Sequence, residues 1–485
     1  MKKILIMIVI FAGFWSEGFA YDSKTPEKVL IVVNSNSTAS SDVGRYYQSK
    51  RGVPETNFLQ ITCTTTETCT AVEYVTNIRD QVKNYLETSG LKSKILYIVM
   101  CYGIPVKFDS LVTSGYSYPG DTYRSVDSFL TDPFTARPVY RSIGRTNPCR
   151  NMDIVRTDNT FNNNGAPYYF VTRIDGPTSD IAKGLVDKAM LAEKSLIPPP
   201  PTYTGYVDGN NTIQAEDGGG YNSTNNAILR CYDEMQAAGW NSVKDTHPER
   251  FGNATTGVTH CKKAIWYSGW YVGTYEDVFD WQTGAIGFHL YSWTAASIRT
   301  GNSWVTGMLN HGITGTAGTV AEPFTWGYMM FDVFYNRFLS TTKKFNFADA
   351  CYASTAMNPS YSSDWMMTFV GDPLYTIYAG GASKSGSKDI NPFDIVVPYP
   401  NPYTPLSGVN GTFKVRNLPG NSVFSIFDIS GQLLRTLKEE DFGNIGFINW
   451  DGRDSDGNYL PNGIYLYTLT DVVGHKKAGK IAYKK

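Results

Sequence analysis

The chain has 485 residues with 43 basic and 44 acidic side chains, a formal net charge of −1, 18% charged residues and 14% aromatic ones. No basic block breaks that balance, which argues against nucleic acid as a partner. The length suits two or three domains with real cores, under a surface made polar by Asn, Ser, Thr, Tyr and Gly more than by ions.

Lys2 and Lys3 precede an uncharged run from Ile4 to Phe14, and Gly18-Phe19-Ala20 places small residues before Tyr21. This is the order of a secretory signal peptide, so residues 1–20 are expected to be removed on export. The run is shorter than the roughly 20 apolar residues of a spanning helix, and no later stretch reaches that length. The mature protein is expected outside the cell or on its surface, with the periplasm as transit, and without a membrane span. Without Lys2, Lys3 and Glu17 it holds 41 basic and 43 acidic residues, a net charge near −2.

That compartment permits disulfides. Of the seven cysteines, Cys63 and Cys69 flank the polar loop Thr64 to Thr68 and form the best expected clip. The odd total leaves at least one free thiol in a monomer. No cysteine pair has knuckle spacing, so a structural zinc site is not expected, nor is any cofactor.

In chain order, Val29 to Asn34 reads as a β-branched strand, followed by a polar turn and a helix over about 41–50. Phe58 to Ile61 is a second strand. Val72, Val75, Ile78, Val82, Tyr85 and Leu86 recur at helical spacing up to Gly90. Ile95 to Met100 is a continuous apolar run, the mark of a strand buried on both faces. Strand, helix, strand, helix, strand is the pattern of parallel crossovers. An insertion at about 107–167, rich in Tyr, Asp, Asn, Gly and Pro, interrupts it. The pattern resumes with strands at about 168–172, 202–207, 264–267, 285–291 and 313–320. Helices are expected near 179–193, 225–238, 304–309 and 326–338. Residues 380–390 read as a flexible linker. From 391 to 485, short strands alternate with turns at Ser430-Gly431, Asp451-Gly452, Asp456-Gly457 and Asn462-Gly463, the texture of a small β-sandwich with Trp450 as its anchor.

The C-terminal segment resembles the immunoglobulin-like domain that follows many exported bacterial enzymes and is related to flagellar hook-capping proteins. The matching residues are Tyr399-Pro400-Asn401-Pro402, Phe427-Asp428-Ile429-Ser430-Gly431, Trp450-Asp451-Gly452-Arg453-Asp454 and Gly463-Ile464-Tyr465. It is also similar to the sorting domains of the type IX secretion route, which implies the cell envelope or its secretion machinery as a partner. Residues 27–379 resemble an uncharacterised family of exported bacterial proteins. The resemblance rests on Asn34-Ser35-Asn36-Ser37, Tyr46-Tyr47, Lys50 to Pro54, Tyr102-Gly103-Ile104-Pro105, Ser125-Val126-Asp127, Ala321-Glu322-Pro323 and Gly371-Asp372-Pro373-Leu374. More remotely, the plan is similar to gingipain-type cysteine peptidases. That implies a caspase-like α/β domain over 21–379, its mostly parallel sheet sandwiched by helices.

A peptidase of that design needs a histidine at the end of one central strand and a cysteine at the end of the next, close enough to form a thiolate. His289, in Gly287-Phe288-His289-Leu290, has a suitable place. The following strand leads into Ala321-Glu322-Pro323, and no cysteine stands there. The absence implies a degenerate domain, unless Cys351 or Cys101 reaches His289 through the fold. A His289–Glu322 pair is the other route, for acid–base hydrolysis or for a metal with Asp127 as third ligand. The plain readings are a buried histidine beside an aromatic cluster and a glutamate capping a following helix. His260 and Cys261 are adjacent and should face opposite ways, and Asp372 is expected to fix a turn. Trp270, Tyr271 and Trp293 belong to an aromatic interval that either lines a glycan or peptide groove or builds core. The expected partners are therefore a peptide, a protein or a cell-surface glycan.

Overall fold

The structure, a computed structural model, describes residues 25–484 apart from 110–122, 136–146, 160–161, 164–165, 197–201, 214–219, 254–257, 271, 324, 356–365, 378–392, 394–395, 400, 402, 406–411, 417, 419–421, 443–446 and 472–474. The signal segment, the linker and much of the insertion therefore lie outside the described residues, as does Tyr271.

A ten-stranded sheet organises the large domain. Its strands in chain order are Val29–Asn34 (β1), Phe58–Ile61 (β2), Tyr97–Cys101 (β3), Phe170–Ile174 (β4), Thr204–Asp208 (β5), Asn241–Asp245 (β6), Cys261–Trp270 (β7), Phe279–Leu290 (β8), Gly315–Thr319 (β9) and Met367–Val370 (β10). Across the sheet they run β6-β5-β7-β8-β9-β10-β4-β3-β1-β2. Strands β1 to β4 pair parallel among themselves, as do β5 to β9, while β10 runs antiparallel to β9.

The strand β1 shows why the sequence selects this architecture. Val29, Ile31 and Val33 enter one core cluster, and Leu30 and Val32 enter another. Because successive side chains alternate sides, an unbroken apolar run is a strand with helices on both faces. One face receives Val43 and Tyr47 of Thr38–Arg51 (α1), with Ala182, Leu185 and Ala189 of Ser179–Ser195 (α4). The other receives Val82 and Leu86 of Asp80–Thr88 (α2), with Val126, Phe129 and Leu130 of Val126–Leu130 (α3). The helix α1 starts where Ser37 accepts the Ser40 N–H and stops at Gly52, whose φ of 73° only glycine adopts freely.

The helices Tyr221–Ala237 (α5), Trp304–Asn310 (α6), Phe331–Phe338 (α7) and Phe347–Ala353 (α8) follow later in the chain. In α8, capped by Asn346, Asp349 is fully buried. Both its oxygens lie 3.2 Å from the Tyr97 hydroxyl, and burial pushes its carboxyl up to about 7.

The two parallel halves meet at a seam. Strands β10 and β4 pair only through Val370 and Arg173. Beside that pair, the Tyr352 hydroxyl accepts from the Val171 N–H at 2.9 Å and donates to its carbonyl at 3.1 Å, with the ring stacked on Phe170 at 4.3 Å. A side chain thus satisfies the backbone that a continuous ladder would have satisfied.

The buried Arg51 of α1 ties three segments together. Its Nη1 and Nη2 reach the two oxygens of Glu193 in α4 at 3.0 and 2.9 Å, and its Nε reaches Asp372 at 2.6 Å. Asp372 also accepts from the Tyr47 hydroxyl and the Leu374 N–H, both at 3.0 Å. Gly371 before it has φ 154°, and a Cβ there would sit 3.0 Å from Phe347. These contacts account for the Arg-Gly and Gly-Asp-Pro stretches as architecture, and Asp372 fixes the turn as expected.

At the C-terminus, Val397–Tyr399 (β11), Phe413–Arg416 (β12) and Phe447–Trp450 (β15) form one antiparallel sheet. Val423–Phe427 (β13), Leu433–Lys438 (β14), Gly463–Thr470 (β16) and Lys476–Tyr483 (β17) form another, in the order β14-β13-β16-β17. Both contribute to one core, with Trp450 fully buried in it. Lys414 of β12 makes an ion pair with Asp277 of the large domain.

The expected disulfide is corrected here: Cys63 and Cys69 are both free, buried thiols, each pushed up to about 12 mainly by burial. Alkylation of the unreduced, denatured chain should label all seven cysteines. Five labels would restore the clip.

Candidate functional site

The strand end that should carry a catalytic base is that of β8. Gly287 and His289 lie on one face of it, toward α6, where a Cβ on Gly287 would sit 3.1 Å from Met308. The His289 imidazole stacks on the Trp304 indole with 3.6 Å between centroids and 4° between planes. Its Nε2 accepts the Val272 N–H at 3.2 Å, so in the neutral ring the proton resides on Nδ1, which faces the Tyr267 hydroxyl at 2.9 Å. Burial, with the Arg250 charge adding to it, holds the imidazole well below its ordinary range. The ring is neutral, and both nitrogens are occupied. A general base needs a lone pair within reach of a substrate proton, and this one has none to offer.

The structure does not bring the other catalytic candidates to that ring. Glu322 is half-buried just beyond β9, where its charge acts on the Tyr328 phenol. Cys351 is buried in α8 against α7 and β4, its thiol raised by burial alone. Cys101, at the end of β3, is raised by burial and by Asp175. None is a low-pKa, exposed thiol of the reactive kind. His260 pairs with Asp280 at 2.9 Å while Cys261 is buried, so that neighbouring pair faces apart as expected. Among the described residues no group of three His, Cys, Asp or Glu side chains could hold a metal ion.

Asp127 is an internal tie. Its Oδ2 receives the Arg173 Nε at 2.7 Å and the Thr368 hydroxyl. Arg173 also reaches Asp175 at 3.1 Å and the Ile104 and Pro105 carbonyls. Arg299, from the loop after β8, grips Asp175 at 3.0 and 2.7 Å and the Ile104 carbonyl at 2.8 Å. Glu67 accepts the N–H groups of Ile298 and Arg299 at 2.7 and 3.1 Å. This network pins the β8–α6 loop onto the ends of β3 and β4. Of its charged members the sequence singles out only Asp127, because they come from segments far apart in the chain.

The aromatic candidates separate by burial. Trp270 is 3% exposed and packs on Tyr221 with centroids 6.0 Å apart, so it is core. Trp293 is half-buried and packs against the main core cluster, with φ 66°, a conformation a bulky side chain rarely takes. Its N–H donates to the Ala321 carbonyl at 3.2 Å, which seats it beside Glu322 at the mouth of β8 and β9. Tyr123 meets it edge-on at 6.4 Å, and Lys107 lies 4.6 Å above the Tyr123 ring. Beneath them the Tyr328 hydroxyl meets Thr294 at 2.7 Å and bonds the Tyr291 carbonyl. The result is a half-buried ledge of Trp293 and Tyr123 beside Lys107, whose ammonium also donates to the Ala296 carbonyl at 2.5 Å, with Glu322 next in the chain to Ala321.

No protein-family model matches the chain, and no curated protein matches it. Among solved structures, the Arg-specific cysteine proteinase gingipain R aligns over 95% of this chain and 99% of its own, at 11% identity and a TM-score of 0.43. The complex of Porphyromonas gingivalis RgpB pro- and mature domains aligns over 94% and 100%, at 10% identity and 0.41. FlgD from P. aeruginosa aligns over 15% of this chain and 60% of its own, at 24% identity and 0.12. The likeness is remote, and what the chain does has to be read from its own residues. No helix among the described residues is long and apolar enough to cross a membrane.

Proposed function

We propose that the chain is an exported protein whose large domain, of caspase-like plan, binds a cell-surface glycan and does not cleave peptides. The C-terminal β-domain, immunoglobulin-like in plan, would be its attachment to the envelope. The observation that carries the non-peptidase part is the sealed imidazole of His289, held by a backbone N–H on one nitrogen and a tyrosine hydroxyl on the other. Peptide hydrolysis through His289 and Glu322 would first require that stack with Trp304 to open.

The ledge at Trp293 supports the binding part. A tryptophan face takes the C–H side of a sugar ring, and carboxylate and ammonium groups at its rim can bond hydroxyls. Holding an aromatic side chain in a left-handed backbone conformation costs about 1–3 kcal/mol, and such strain gathers at ligand sites.

The mature protein should leave a diverse peptide library intact, as should His289→Ala. Cleavage by the wild type that vanishes in His289→Ala would overturn the reading. On a glycan array, Trp293→Gly, which accepts the backbone conformation without strain, should lose about tenfold or more in affinity while circular dichroism shows the fold retained. Binding to peptides alone would replace the glycan by a peptide, and unchanged glycan binding would remove the ledge from the account.

A further inference from the structure

The C-terminal four-stranded sheet turns one face to its core and the other to solvent, and the solvent face is not uniformly polar. The register places Leu433 of β14 opposite Phe427 of β13, Phe427 opposite Leu466 of β16, and Leu466 opposite Lys480 of β17. Their chain neighbours Ile426, Tyr465, Tyr467 and Ile481 are buried, so the period of two sends this row outward. Ile464, two residues before Leu466, extends it, and Ile429 stands in the adjoining turn. Leu433, Ile464 and Ile429 are 53%, 48% and 79% exposed. At the far end of the same face the rows are Thr436–Ser425–Thr468–Ala478 and Lys438–Val423–Thr470–Lys476. Apolar side chains are therefore gathered at one end, and gathered exposed apolar residues mark contact surfaces.

The charges on this face decide what would cover it. Its ionic side chains are Lys438, Lys476 and Lys480, and none of its outward positions is acidic. Lys438 pairs with Glu440 at 3.0 Å. The nearby Asp428 carboxylate is spent on its own turn, accepting the Ser430 and Gln432 N–H groups at 2.8 and 2.9 Å. A second copy of the face would bring lysines and no carboxylate. We propose that this end of the sheet docks an acidic protein segment with one apolar face, the leucine row taking the apolar side and Lys480 its carboxylates. The inference is independent of the reading of the large domain.

The test uses the full mature chain and three amphipathic peptides sharing one leucine face, with Glu, Gln or Lys on the other. The Glu peptide should bind tightest and weaken as salt rises. Leu433→Asp should reduce its affinity roughly tenfold or more. Lys480→Glu should weaken the Glu peptide and improve the Lys peptide. Both positions lie on the solvent face, so circular dichroism and melting temperature should not change. Equal binding of the three peptides, no binding, or indifference to both substitutions would overturn the proposal. So would dimerisation of the chain alone that Leu433→Asp abolishes, which would make a second copy the occupant.

Discussion

Replacing Arg51 by methionine should remove about 3–5 kcal/mol of folding stability, measured as the shift of a urea midpoint at constant slope. The guanidinium is the shared partner of Glu193 and Asp372, and all three side chains are almost fully buried. Removing it strands two carboxylates in a site closed to water, where neither can be solvated. Most of the loss is the cost of those stranded charges rather than the worth of the bonds. The triple variant Arg51→Met, Glu193→Gln, Asp372→Asn should therefore recover much of it. A single variant that loses less than about 1 kcal/mol would mean water enters the site, and the triad could not then be what locks α1, α4 and the Gly-Asp-Pro turn.

Asp349 should make the stability of the fold depend strongly on pH. Its folded carboxyl titrates at about 7 because burial opposes charge, with Arg156, the Tyr97 hydroxyl and Lys28 only partly offsetting it. An unfolded aspartate titrates near ~3.9. The raised group therefore contributes stability that is fully present below about pH 4 and is lost as pH climbs through about 7. At about 1.4 kcal/mol per unit, the carboxylate costs the native state about 4 kcal/mol at pH 8. Asp349→Asn keeps an oxygen for the Tyr97 hydroxyl and removes the charge. It should match the wild type near pH 4 and exceed its stability by a few kcal/mol at pH 8. Other titrating groups cancel in that difference. A variant less stable than wild type at pH 8 would show that Asp349 is ionised and paired.

The parts of the fold legible in sequence were those with a local cause. Val29 to Val33 and Tyr97 to Met100 announce two-sided burial because every position is apolar, and Trp450 anchors the small core as its turn-rich setting implies. The strand Asn241–Asp245 escaped because it is a polar edge, alternating Ser242 and Lys244 around a single valine. The strand Met367–Val370 is four residues long and joins both halves, a role no period encodes. At the site, the missing cysteine after β9 was visible at once. What seals His289 was not: Val272, Tyr267 and Trp304 reach it only after β7 and β8 pair and α6 folds back over them. The pairing of Cys63 with Cys69 looked natural from loop length alone, yet proximity in sequence says nothing about where two thiols point.

The seam at Tyr352 bears on the order in which the chain acquires its shape. Strands β1 to β4 come from one continuous stretch, residues 29–174, and β5 to β10 from another, 204–370. Each stretch can collapse as a unit, the first with less of the chain available to compete. Until Tyr352 arrives, however, the Val171 amide and carbonyl stand on an open strand edge, the kind of template that recruits other chains. The tyrosine hydroxyl closes that edge with two bonds. Every newly made chain would pass through the interval before this closure as it folds. Tyr352→Phe would leave the Val171 amide and carbonyl buried without that partner in the finished protein, and it would also lengthen that interval and divert chains to aggregates before they finish folding.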